Sequence, residues 1–267
     1  MKVACIQLST GNNLQLNYSK TIFYTNNSIK NKADLIITPE ATSLILDNKK
    51  DIQKKIYTMS NDPLINYIKV LSKKHKKWIL IGSLFIKVKK TIRNRSVMIN
   101  PDGKIEAFYD KINMFDVSLG NKEKYQESKT FKSGKKIKTV NLPWGKLGMT
   151  ICYDLRFPEI YRKLSEKNLK FITVPSAFTK TTGKKHWLVL LRARAIENFC
   201  YIFAPNQTGK NTKSRTTFGH SVIISPDGKI LNIKKSGVGI IYANIDLEAP
   251  TRLRKMIPSL KLKKIKS

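Results

Sequence analysis

The sequence predicts an α/β protein folded as a four-layer αββα sandwich. Two observations lead there: short β-type runs alternate with helix-type runs along the chain, and two similar Pro-Asp-Gly turns hint at two related halves. The β-type runs are Val3 to Leu8, Asp34 to Thr38, Trp78 to Phe85, Ser96 to Asn100, Ile137 to Leu142, Leu147 to Cys152, Phe171 to Pro175, Cys200 to Pro205, His220 to Ser225 and Gly239 to Ile245. Helical spacing marks Leu14 to Lys30, Asp51 to His75, Pro158 to Lys167 and His186 to Phe199. In the last of these, Trp187, Leu190, Leu191, Ala195 and Phe199 share one face, a stripe read as core. The turns Asn100-Pro101-Asp102-Gly103-Lys104 and Ser225-Pro226-Asp227-Gly228-Lys229 each lie between β-type runs, with Pro and Gly where a hairpin wants them. Each half would then hold a sheet with helices on its outer side, and two stacked sheets bury strands on both faces. No Pro-, Gly- or Ser-rich linker separates the halves, so 1–267 is read as a single domain.

Composition bounds the function. The chain has 267 residues, 41% hydrophobic and 9% aromatic, ample for a packed core. Its longest apolar stretches fall far below the roughly 18 residues of a membrane-spanning helix, and the amino terminus makes a poor secretory signal. Three scattered cysteines, Cys5, Cys152 and Cys200, form neither a disulfide framework nor a zinc pattern. A reducing cytoplasm, with no metal and no cofactor, is expected. The net charge of +33 raises nucleic acid as a partner. Yet the basic residues are spread in small groups, lysine dominates arginine and no recognition motif accompanies them. They are read as a solvated surface, reflecting compositional bias.

Chemistry enters at Gly148-Met149-Thr150-Ile151-Cys152-Tyr153-Asp154-Leu155-Arg156-Phe157-Pro158-Glu159, where an apolar strand stops and a Pro-started helix begins. A lone cysteine is most often a small buried apolar residue. A thiol at such a turn, however, can project into a cleft, and the positive end of the following helix favours its thiolate. Three charged residues also occupy unusual positions. Glu40 lies just beyond the apolar run Asp34 to Thr38 and Pro39; Lys111 follows the run Ile105 to Asp110; Glu127 sits in Tyr125-Gln126-Glu127-Ser128, ahead of the Cys152 strand. Singly each reads as a solvated charge or strand-end cap. Together with Cys152 they form a pattern.

That ordered set resembles the nitrilase, or carbon-nitrogen hydrolase, superfamily over essentially the whole chain. The resemblance rests on Pro39-Glu40, Tyr109-Asp110-Lys111, Gln126-Glu127-Ser128 and Ile151 to Glu159. Pro175-Ser176-Ala177-Phe178, Thr182-Gly183, His186-Trp187, Arg192 to Asn198 and Gly219-His220-Ser221 extend it towards the amidase branch that holds deaminated glutathione amidases and omega-amidases. It implies the αββα sandwich, the catalytic residues Glu40, Lys111 and Cys152, and Glu127 as a second acid near them. It also implies homodimers or larger assemblies, with 253–267 reaching a neighbouring subunit. One departure stands out, since the position two residues after the family lysine is often histidine and here is Asn113. Asn113 can still donate and accept hydrogen bonds, so an effect on fine positioning or substrate preference is expected.

The expected reaction is hydrolysis of a small carboxylated amide to acid and ammonia. Cys152 attacks the carbonyl, Glu40 takes and returns the proton, a thioester forms, and Lys111 with the Tyr153 N–H faces the oxyanion. Glu127 would orient Lys111 and keep it charged, while competition between the two carboxylates would raise Glu40 towards a useful basicity. Arg156, one helical turn beyond Cys152, can pair with a substrate carboxylate or, alternatively, with Glu159. The family resemblance adds Phe178 and Thr182 as pocket walls, while His186 and His220 are read as structural. Deaminated glutathione is the first substrate choice and 2-oxoglutaramate the second. A carbamoyl-amide remains open, and nitrile hydrolysis is disfavoured because nitrilases tend to be longer and to follow the nucleophile with Trp-Glu, where this chain has Tyr153-Asp154. A basic nucleic-acid-associated protein with a silent pocket is the non-enzymatic alternative.

Overall fold

Alternation in the first strand sets up the layering: Val3 and Cys5 face one way, Ala4 and Ile6 the other, and all four are fully buried. A computed structural model describes residues 1–120 and 123–264. In chain order its elements are β1 (Lys2–Gln7), α1 (Leu14–Lys30), β2 (Leu35–Ile37), α2 (Lys49–Lys55), α3 (Pro63–His75), β3 (Trp78–Val88), β4 (Thr91–Ile99), β5 (Ile105–Asp110), β6 (Asp116–Ser118), β7 (Lys124–Gln126), β8 (Lys138–Leu142), β9 (Gly145–Met149), α4 (Pro158–Ser165), β10 (Phe171–Thr173), α5 (Lys180–Asn198), β11 (Tyr201–Ala204), β12 (Thr208–Lys210), β13 (Thr216–Phe218), β14 (Ser221–Ile224), β15 (Ile230–Lys234), β16 (Gly239–Asn244), α6 (Ala249–Met256) and α7 (Ser259–Leu262). The last three residues of the expected subunit-crossing tail, 265–267, lie outside the described residues.

Two six-stranded sheets form, in the orders β16-β1-β2-β3-β4-β5 and β15-β14-β11-β10-β9-β8. Each has three parallel strands at its centre, β1-β2-β3 and β9-β10-β11, flanked by antiparallel ones. The two Pro-Asp-Gly turns join corresponding hairpins, β4 to β5 and β14 to β15. The last strand, β16, returns to pair with β1, so the halves interlock. Between the sheets lies one core, to which Val3, Cys5, Leu35 and Ile37 contribute from the first sheet and Leu147, Phe171, Phe203 and Ile223 from the second. Helices α1 and α3 cover the outer face of the first sheet through Tyr18, Leu64, Ile68 and Leu71. Helices α4 and α5 cover the second, with Tyr161, Leu164, Trp187 and Leu191. The result is the αββα sandwich.

Element boundaries moved where local chemistry outweighs periodicity. The helix expected over Asp51 to His75 is two, because Asp62 caps Leu64 and Ile65 through its carboxylate and Pro63 starts α3 afresh. Helix α5 begins at Lys180, six residues ahead of the expected His186, because Thr179 caps it. Strand β4 runs from Thr91 through Arg93, Asn94 and Arg95, three polar residues that hide its first half from a hydrophobicity reading.

One glycine fixes the end of the molecule where the site lies. A Cβ on Gly82 would stand 1.9 Å from the Thr38 carbonyl oxygen and 2.5 Å from that of Pro39, the two residues before Glu40. Its neighbour Ser83 accepts the Ala41 N–H at 2.9 Å, just after Glu40. Gly82→Ala is therefore expected to cost about 1–3 kcal/mol of stability in urea unfolding, as overpacking of a full core does, and to lower turnover as Glu40 is displaced.

Candidate active site

The carboxyl-terminal ends of parallel strands from both sheets converge, the usual location for chemistry in open α/β sheets. Glu40 leaves the end of β2, and Gln207, just beyond β11, donates to its carbonyl at 2.9 Å. Lys111 continues β5, its N–H bonded to the Asn94 carbonyl of β4 at 3.0 Å. Cys152 follows β9 and opens a short 3-10 turn, Cys152–Arg156, with φ of +48°. A non-glycine residue in the left-handed region stores strain of order 1–3 kcal/mol, which surrounding contacts must hold. Here the Cys152 N–H donates to the Pro175 carbonyl at 3.0 Å. The Asp154 carboxylate pins the same turn, accepting from the Ile151 N–H at 3.0 Å, the Tyr109 hydroxyl at 2.7 Å, and the Asn113 N–H and side-chain amide at 2.9 and 3.0 Å.

At the centre is a buried ammonium between two carboxylates. Lys111 Nζ, 1% exposed, donates to Glu40 Oε1 at 2.9 Å and to Glu127 Oε2 at 2.7 Å. The Asn94 side-chain amide bridges the same carboxylates, at 2.9 Å to Glu40 and 3.1 Å to Glu127. The Ala177 N–H donates to the other Glu40 oxygen at 2.8 Å, and the Phe115 N–H to Glu127 Oε2 at 2.7 Å. Burial disfavours the Lys111 ammonium, but Glu127 and Glu40 outweigh it and hold the group charged far above the ordinary lysine range.

Two sequence expectations about protonation change. Burial pushes the Glu40 carboxyl up, yet Lys111 and Arg215 together outweigh burial and hold it below the usual carboxylate range, so competition with Glu127 does not raise it. Cys152 moves the other way: burial, then the Glu40 carboxylate beside it, push the thiol well above its ordinary range. The resting sulfur is therefore a protonated thiol beside an ionised carboxylate rather than a helix-stabilised thiolate; α4 starts only at Pro158.

Two cavities meet here. A narrow cleft of about 10 Å³ is lined by Lys111, Cys152, Tyr153, Phe178 and Thr182. A chamber of about 220 Å³ lies on the side of Glu40, Asn94 and Glu127, with Ile45, Ile52, Phe85 and Phe131 among its apolar walls. Phe115, Ala177 and Arg215 line both.

Against known families, the carbon-nitrogen hydrolase family matches residues 2–255. This chain belongs to the carbon-nitrogen hydrolase family. It is 34% identical to a deaminated glutathione amidase of Yersinia enterocolitica over 97% of this chain and 91% of that protein. The corresponding protein of Dictyostelium discoideum is 35% identical over 97% of this chain and 92% of its own. Among solved structures, a Saccharomyces cerevisiae member of branch 10 of the nitrilase superfamily superposes with a TM-score of 0.89 at 28% identity, covering 99% of this chain and 97% of that one.

The other residues singled out in this hydrolase's sequence fall on two sides of Cys152. Tyr153 stacks edge-on against Phe115 and Phe157. The Arg156 guanidinium lies over the rings of Phe178 and Tyr153, 5.3 and 5.8 Å from their centroids, and meets His186 Nδ1 at 3.2 Å rather than Glu159. His186 is thus a neighbour of Arg156, which lines neither cavity, and slight burial, then that arginine, keep it below its usual pKa. His220 packs structurally, stacked on Phe218 at 3.9 Å with its carbonyl accepting the Trp187 indole N–H. Asn113 lines neither cavity; its side chain serves Asp154 beneath the nucleophile.

Sequence reasoning assigned no role to Asn94, Asp154 or Arg215. Asn94 carried a usable signal, a polar residue in a strand otherwise destined for burial, and Asp154 stood inside the cysteine motif. Arg215 was one of 51 Lys and Arg residues and had none. Asn113→Ala removes one hydrogen bond to a carboxylate while leaving the backbone donor, so it is expected to lower the free energy of unfolding by about 1–2 kcal/mol, the cost of a partly buried charge-assisted bond, as read by urea titration.

Proposed function

We propose that this protein hydrolyses the amide of a small carboxylated substrate, deaminated glutathione in the first instance, through a thioester on Cys152. The observation that carries the proposal is the contact between the Cys152 thiol and a Glu40 carboxylate that also accepts the Lys111 ammonium at 2.9 Å. Glu40 takes the thiol proton as sulfur adds to the carbonyl carbon, which avoids forming a free thiolate in a site that disfavours it. The oxyanion forms beside the Lys111 ammonium and the Tyr153 N–H; losing one such donor typically costs about 3 kcal/mol of barrier. Glu40 then hands its proton to the nitrogen, the C–N bond breaks and the amine departs. Water activated by Glu40 attacks the thioester and releases the acid and the thiol.

The substrate assignment rests on the two relatives carrying that name and on Arg156, whose guanidinium over Phe178 offers a carboxylate a cation within reach of the cleft. The leaving group depends on the amide. A primary amide such as 2-oxoglutaramate would release ammonia, whereas the γ-amide nitrogen of deaminated glutathione carries cysteinylglycine, so a dipeptide amine occupies that position. We also place the protein in a reducing cytoplasm as a homo-oligomer. Three unpaired, buried cysteines fit the first, and exposed Met256, Ile257 and Leu262 in the carboxyl-terminal segment fit the second.

The test is release of 2-oxoglutarate and cysteinylglycine from deaminated glutathione. Cys152→Ala should lose activity by at least about 10⁴-fold with the fold intact; retained turnover contradicts the mechanism. Because the base must be ionised, activity falls as pH drops through the depressed Glu40 pKa. The acid limb should therefore lie below about pH 4.3, the ordinary glutamate value.

A further inference from the structure

The geometry points to a leaving-group site: the chamber beside Glu40 binds the substituent on the scissile nitrogen, and Arg215 reads an oxygen acceptor on that substituent. This deepens the functional reading above and rests on it. The reacting centre opens on two cavities, and their linings divide the catalytic groups between them. Cys152 and Lys111, which face the carbonyl carbon and its oxygen, line the narrow cleft and not the chamber. Glu40, which must protonate the departing nitrogen, lines the chamber and not the cleft. Whatever the nitrogen carries therefore extends into the chamber.

Size and unsatisfied polar groups point the same way. The cleft, at about 10 Å³, has room for roughly one water on a measure where a single water takes about 10–15 Å³. That room takes the reacting carbonyl and leaves none for the substituent on nitrogen. The chamber, at about 220 Å³, is far larger than departing ammonia needs. Two buried polar atoms on its wall have no partner: Asn94 Oδ1, on a residue 1% exposed, and Arg215 Nε. Buried polar groups are normally satisfied, so each calls for an explanation. The Asn94 amide is oriented by its two carboxylate acceptors, which leaves its oxygen free beside Glu40, where an N–H of the scissile amide would donate to it. Arg215 is anchored by the Ala177 carbonyl at 2.8 Å and lies over the Tyr125 ring, leaving Nε to donate to an oxygen. Ile52, Phe85 and Phe131 offer an apolar wall beyond it.

The ligand class is thus the amine half of an N-substituted amide: a slender, partly apolar chain carrying a carboxylate or carbonyl oxygen, as a small peptide does. Once the amine departs, the emptied chamber admits water directly to Glu40, where the second half-reaction uses it.

Two amides that share an acyl group test this with a single readout. Deaminated glutathione, a secondary amide, and 2-oxoglutaramate, its primary counterpart, both yield 2-oxoglutarate, and kcat/KM is measured for each with the full-length protein. The wild type should favour the secondary amide by about tenfold or more, and Arg215→Met should reduce that ratio by about tenfold, because a pocket built to donate to an oxygen loses its discrimination without the donor. Arg215→Lys should recover part of it, and Ile52→Phe, which narrows the chamber, should lower the ratio independently. A wild-type preference for the primary amide overturns the proposal without needing any variant. So does a ratio unmoved in folded variants while both rates fall together, which would put the acyl half in the chamber instead. No 2-oxoglutarate from either amide would remove the functional reading and this one with it.

Discussion

A buried ammonium held between two carboxylates is the constraint on which the site depends. Taking Lys111 out of water is expensive, and removing one partner of such a group typically costs 3–5 kcal/mol because a charge is left uncompensated. Glu40 and Glu127 must therefore both be in place for Lys111 to remain where it is. Asn94 ties the two acids to each other, and the N–H groups of Ala177 and Phe115 fix one oxygen on each. Five elements that are distant in sequence are thereby locked around one cation. The same cation lowers Glu40, so the base beside Cys152 is ionised and ready, while the thiol stays protonated until substrate arrives.

The fold provides this by stacking two sheets with like-directed central strands. Their carboxyl-terminal ends bring Glu40 from one sheet and Cys152 and Ala177 from the other to a shared edge, with Lys111 entering from β5. Cys152 sits in a strained backbone conformation at that edge, and its cost is carried by neighbours: the Pro175 carbonyl above and the Asp154 carboxylate below. Asp154 in turn depends on Tyr109 and Asn113. At the position where a histidine is common in the family, this chain has an amide that donates to the Asp154 carboxylate.

Much of this was legible in the residues. Apolar runs located the strands whose ends matter, and the twin Pro-Asp-Gly turns announced the repeat of one hairpin in each sheet. Glu40, Lys111 and Cys152 stood out because charges and a thiol rarely follow apolar strands without reason, and Glu127, in the loop ahead of the Cys152 strand, joined them through the family resemblance. What periodicity could not show was anything requiring three dimensions. Asn94 hides in a polar half of β4, and Arg215 is indistinguishable from dozens of other cations until its chain is seen lining both cavities. The thiolate expected from a helix end failed for a physical reason, because burial and an adjacent carboxylate outweigh a dipole whose helix begins six residues later. Glu40 likewise went down instead of up, since sequence gave no sight of the second cation beside it.

The central claim is that Cys152 is a neutral thiol activated by Glu40 rather than a standing thiolate. The most direct measurement is the rate of Cys152 alkylation by iodoacetamide against pH, followed by peptide mass spectrometry in the wild type and in Glu40→Gln, with the fully buried Cys5 and Cys200 as internal background. The account predicts a wild-type rate that is flat through neutral pH, and a Glu40→Gln rate about 100-fold lower that climbs as pH rises, the scale expected for loss of a general base. Equal rates in the two proteins, both rising with pH as a free thiol ionises, would contradict it.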